Sequence, residues 1–135
     1  QPVRDLGVRR ASFMWPFASF DEAGVAMAFG TDAPCVPDVA MQVLSCAVTR
    51  EEARTCEPRG GWLPEQRVTM ATAIDAYTRG SVKVAGREAE LGTLAAGKLA
   101  DLVVFDTNLM CADPETIQGT RALATYVGGR LAWEA

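Results

Sequence analysis

Val25, Ala26, Met27, Ala28 and Phe29 form an unbroken apolar run between Gly24 and Gly30. A run of strand length that does not alternate predicts a strand covered on both faces, as in a parallel sheet. Pro34 stops its continuation, and Ser19 to Ala23 reads as the last turns of a helix feeding it. After Pro37, Asp38 has the residue type of an N-cap, and Val39, Val43, Leu44, Ala47 and Val48 then recur on one side of a helix. From Arg50 to Gln66 the pattern is polar and broken by Pro58, Gly60, Gly61 and Pro64, which predicts a long loop. Loops of that length are usually functional or disordered. Thr69 is the expected cap of a second helix that aligns Ala73, Ile74 and Tyr77 and ends at Gly80, with Ser81 capping a short helix through Ala85.

From Leu91 onward the pattern shortens. Leu102-Val103-Val104-Phe105 is a strand core between Asp101 and Asp106, and Asp113-Pro114-Glu115 has the form of a helix start. Ala122 to Val127 and Arg130 to Glu134 flank Gly128-Gly129, a two-residue hairpin signal. These changes place a boundary near residue 90, with α/β character over 1–90 and mostly β over 91–135. Neither part is self-sufficient: a buried parallel strand needs neighbours on both sides, and three short strands are marginal as an independent sheet. The elements therefore predict a fragment of a larger fold.

Composition narrows the function. Of the 135 residues 49% are hydrophobic, which allows a core, and 22% are charged with a net charge of −4. There is no basic footprint for nucleic acid and no apolar run long enough to span a membrane, so neither partner is expected. No secretory leader is evident, and Cys35, Cys46, Cys56 and Cys111 lack CxxC spacing. They read as free thiols of a cytoplasmic protein.

Asp32 is the first candidate for chemistry. Directly after a buried strand its carboxylate stands at the C-terminal mouth, where parallel α/β proteins place ligands and catalytic groups. Spacing alone better suits an Asp that closes a local turn. Cys35, three positions on, reads as an inert thiol. Asp101 and Asp106 read as strand ends, and Lys98 as a solvated turn residue without phosphate-loop spacing. Trp62, in the long loop, is placed to line a substrate mouth.

Ordered blocks along the chain carry a family resemblance. Ala23-Gly24-Val25-Ala26-Met27-Ala28-Phe29-Gly30-Thr31-Asp32-Ala33-Pro34 resembles the last barrel strand of the amidohydrolase superfamily. Gly92-Thr93-Leu94-Ala95-Ala96-Gly97-Lys98-Leu99-Ala100-Asp101-Leu102-Val103-Val104-Phe105-Asp106 is similar to its Gly-Lys-x-Ala-Asp-Leu-Val signature, and Thr125 to Arg130 to its closing hairpin. Trp15-Pro16-Phe17-Ala18-Ser19-Phe20 and Ala47-Val48-Thr49-Arg50 point to a branch resembling N-substituted formamide deformylases.

The resemblance implies an α/β fragment: the last strand-helix units of a (β/α)8 barrel over 1–90, then strands of a small β-sandwich over 91–135. It implies a C-terminal region of a metal-dependent amidohydrolase that hydrolyses a C–N bond of a small-molecule amide or N-formyl compound. Asp32 would be both catalytic and a ligand to a divalent metal, zinc by preference, and would accept the proton of the attacking water. The other ligands of that site are mostly His, and this chain has zero His. The 135-residue chain alone is therefore expected to be inactive, to hold no stoichiometric metal, and to self-associate or pair with missing N-terminal segments. The alternative is a stand-alone α/β binding or assembly module without catalysis.

Overall fold

The computed structural model describes residues 2–35 and 39–135. Two short helices, α1 (Pro2–Leu6) and α2 (Val8–Ala11), precede α3 (Phe17–Glu22). After the segment that follows α3 comes α4 (Ala40–Thr49), which buries Met41, Leu44, Ala47 and Val48. Those positions repeat at helical spacing, so one stripe faces inward. The predicted cap Asp38 lies outside the described residues. The loop expected over 50–66 is present and runs on to residue 69, with a 3₁₀ turn at Pro64–Gln66.

Thr69 caps α5 (Met70–Asp75) as its sequence position predicts, its hydroxyl accepting from the Thr72 N–H. The helix does not stop at Gly80. It widens into a π-turn over Ala76–Gly80 and runs on as α6 (Ser81–Val84). Gly80 is there for clearance, because a Cβ at this position would collide with the Met27 carbonyl. At the π-turn the Ala76 carbonyl accepts from the Phe29 N–H at 3.1 Å and from the Ser81 hydroxyl at 3.1 Å.

The apolar run Val25–Phe29 is not a strand. It lies outside every sheet ladder among the described residues, and only Met27 and Phe29 pack against the core, while Val25, Ala26 and Ala28 are exposed. The expectation of a strand buried on both faces is corrected for a physical reason. A parallel strand is defined by neighbours that accept and donate along both edges, and no described segment lies beside it in that way.

The sheet that does form has the order β1 (Leu102–Phe105), β2 (Ala122–Val127), β3 (Arg130–Glu134), antiparallel throughout. Gly128 and Gly129 both have positive φ, 57° and 75°, which the tight hairpin requires. Asp101 accepts from the Gly128 N–H at 2.7 Å, and Asp106 accepts from the Arg121 N–H at 3.0 Å. Both aspartates thus fasten strand ends. Between β1 and β2, Asp113 caps a 3₁₀ helix over Pro114–Gly119 by accepting from the Glu115 N–H.

One core unites these parts. Met41, Leu44, Ala47 and Val48 of α4 meet Val68, Ala73, Leu109 and Ile117, and Phe17, Met27, Phe29 and Phe105 pack around them. Ile117, 1% exposed, sits in the second part of the chain yet packs among residues of the first.

Candidate functional site

Asp32 ends the segment that Phe29 anchors. The Phe29 N–H bonds to Ala76 and its carbonyl accepts from the Ser81 hydroxyl at 2.6 Å, so the backbone is fixed three residues before the carboxylate. Asp32 has a left-handed backbone, φ 55°, a conformation that non-glycine residues adopt rarely and Asp more readily than most. Its carbonyl accepts from the Cys35 N–H at 2.9 Å, closing a turn across the cis Ala33-Pro34 bond. Asp32 thus closes a turn with its main-chain carbonyl rather than its carboxylate, and its side chain is exposed.

Beside this segment stands an aromatic group. The Phe17 and Phe29 rings lie 4.9 Å apart, and Trp15 meets Trp62 edge-to-face at 5.9 Å. The Arg50 guanidinium lies between the two pairs, 4.9 Å from the Phe17 ring centre and 5.8 Å from that of Trp62. It donates from Nε to the Trp62 carbonyl at 3.2 Å, and the Trp62 N–H donates to the Arg50 carbonyl at 2.8 Å. Arg67 adds a second tie, donating to the carbonyls of Thr49 and Gly60. The long loop is therefore held at its base by two arginines; the sequence reading named Arg50 within the Ala47-Val48-Thr49-Arg50 block but gave neither arginine a role. The available signal was Arg50 itself, a charged residue directly behind the apolar stripe of α4.

Burial pushes the Arg50 guanidinium pKa down from its ordinary value, opposed by the nearby Cys46 and Glu65. Burial likewise pushes the Cys46 thiol up, and that thiol donates to the Glu51 carbonyl at 2.9 Å. Cys35 and Cys111 are exposed free thiols. Lys98 is not simply solvated: its ammonium donates to the carbonyls of Glu88 and Leu91 at 2.6 and 3.2 Å and braces that loop.

Two open clefts, of about 400 and 430 Å³, border Ala26, Met27 and Asp75 rather than Asp32. Among the described residues no three His, Cys, Asp or Glu side chains converge as a metal site needs. With zero His in the sequence, the residues present do not by themselves fit a catalytic metal.

The sequence model of the amidohydrolase family matches residues 2–132. This chain belongs to the amidohydrolase family. The chain is similar to the N-substituted formamide deformylase of Arthrobacter pascens, 32% identical over 122 residues, or 90% of this chain and 22% of that one. It is also similar to Protein LONG AFTER FAR-RED 3 of Arabidopsis thaliana, 30% identical over 129 residues, or 95% of this chain and 21% of that protein. It thus spans about a fifth of the length of these curated relatives. Among solved structures, an amidohydrolase from Thermotoga maritima superposes with a TM-score of 0.66 at 20% identity, over 90% of this chain and 26% of that one, a likeness of fold. The amidohydrolase resemblance read from the sequence is thereby shown, and the mixture of helices with a small sheet agrees with its α/β character.

Proposed function

We propose that this chain is the C-terminal region of a metal-dependent amidohydrolase hydrolysing a C–N bond of a small-molecule amide or N-formyl compound. The observation that carries the reading is the family match over nearly the whole chain, within which Asp32 stands exposed at the end of the Val25–Phe29 segment. The first relative's name, a formamide deformylase, favours the N-formyl class. In this reading 1–90 are the last units of a barrel and 91–135 strands of a sandwich. Leu109 and Ile117 join the core cluster with Met41, Leu44, Ala47 and Val48 of α4.

Asp32 is the catalytic carboxylate. It accepts a proton as the oxygen of water bonds to the carbonyl carbon, and returns it to the nitrogen as the C–N bond breaks. It is also the one metal ligand assigned here, to a divalent ion, zinc on the family resemblance. The remaining ligands must come from outside this chain. The chain alone is therefore inactive and free of stoichiometric metal, an expectation that elemental analysis after dialysis checks. About one zinc per chain would contradict it. The reading also makes the protein cytoplasmic. Among the described residues no helix is long and apolar enough to cross a membrane.

The test is Asp32→Asn in the complete enzyme. Since the amide cannot accept a proton, kcat should fall by about 10²–10⁴-fold with the fold retained. A variant within about tenfold of the parent would remove Asp32 from the mechanism.

A further inference from the structure

Arg50 combines costs that a structural residue would avoid. It is 9% exposed, yet none of the ion pairs among the described residues includes it. Its Nη2 is buried with no hydrogen-bond partner among the described residues. Its backbone is left-handed, φ 64°, at the C-cap of α4 where glycine is the usual occupant. A buried charge is costly unless its donors are satisfied, and a left-handed non-glycine backbone adds to the cost. Strain and an unsatisfied polar group at one residue direct attention to what that residue holds in place.

What it holds is a continuous stack. Trp62 is bonded to Arg50 in both directions, the guanidinium lies over Phe17, and Phe17 packs on Phe29. Phe29 fixes the backbone that leads into Asp32. We propose that Arg50 is a positioning residue of this site: clamped between Phe17 and Trp62, it locks the long loop to the Phe29 end of the segment and so sets where the Asp32 carboxylate meets its substrate. The proposal rests on the reading of Asp32 as the catalytic carboxylate.

Arg50→Met and Arg50→Lys in the complete enzyme test it. Met keeps the apolar stem and removes the charge, and such replacement of a buried ion is often neutral or stabilising. A purely structural Arg50 would then leave turnover unchanged wherever the unfolding midpoint is unchanged. The positioning role instead predicts a kcat lower by about 10²-fold, the cost of a carboxylate misplaced by roughly 1 Å, with KM little altered. Acrylamide should quench tryptophan emission more readily in both variants, as Trp62 is released. Lys keeps the charge without the planar fork and should not rescue kcat.

A well-folded Met variant with parental kcat overturns the proposal, and so does a rise in KM alone, which would make Arg50 a substrate contact. If Met fails to fold, the Lys variant decides by the same comparison, and failure of both makes Arg50 a folding residue and ends the proposal. Absence of turnover in the parent removes the Asp32 reading and this one with it. An active parent with unaffected variants removes only this one.

Discussion

Asp106 shows how a single carboxylate can matter without entering any chemistry. The Arg121 N–H, and after it the Thr107 hydroxyl, hold its carboxyl below the ordinary range. A depressed folded-state pKa contributes stability above the unfolded value and loses it as pH falls through the folded one. Asp106→Asn should therefore lower the unfolding midpoint at pH 7. The gap to the parent should begin to close below about pH 4, where an unfolded Asp protonates, and vanish at lower pH. Thermal unfolding across pH checks this, and a gap constant down to pH 2 would contradict it. Asp32 differs: its side chain is exposed beyond the backbone anchored at Phe29.

At the scale of elements, the helix that passes through Gly80 decides between propensity and packing. In an ordinary helix interior Gly→Ala gains roughly 0.5–1 kcal/mol. Here the new methyl meets the Met27 carbonyl, and backbone cannot rotate away as a side chain could. Overpacking of this kind typically costs about 1–3 kcal/mol. Gly80→Ala should thus destabilise by about 1 kcal/mol or more, measured by urea unfolding. A stabilised variant would mean that the Val25–Phe29 segment is free to move off the helix. Thr69, by contrast, follows the local rule, its cap formed as its position before Met70 predicts.

For the whole molecule the question is what closes the core. Ile117 is 1% exposed and packs in a cluster otherwise drawn largely from α4 and α5. Ile117→Ala should cost about 2–5 kcal/mol. If the two parts unfold as one, it should shift a single transition seen by every probe. Two separate transitions, only one of them moved, would show that the parts are independent. The outer surface is less complete: Val103, Leu123, Val127, Leu131 and Trp133 are all more than two-fifths exposed on one small sheet. Exposed apolar surface of this kind marks contacts with other protein. The isolated chain should accordingly elute above its monomer size in light scattering at micromolar concentration. A clean monomer would favour a stand-alone module.

The sequence by itself determined what depends on near neighbours. The α4 stripe, the Thr69 cap, the Gly128-Gly129 hairpin and the strand Leu102–Phe105 all follow from residue type and spacing, and the Gly-Lys-x-Ala-Asp-Leu-Val block carried the family with them. The tertiary structure decided what depends on groups far apart in sequence. Val25–Phe29 has strand composition but joins no sheet among the described residues, because hydrogen bonds along its edges require partners that no local pattern supplies. Gly80 resembled a stop, and only the approach of Met27 shows why a glycine stands there. Arg50 had no assigned role until Phe17 and Trp62 closed on its guanidinium, since burial of a charge belongs to its surroundings rather than to its residue type.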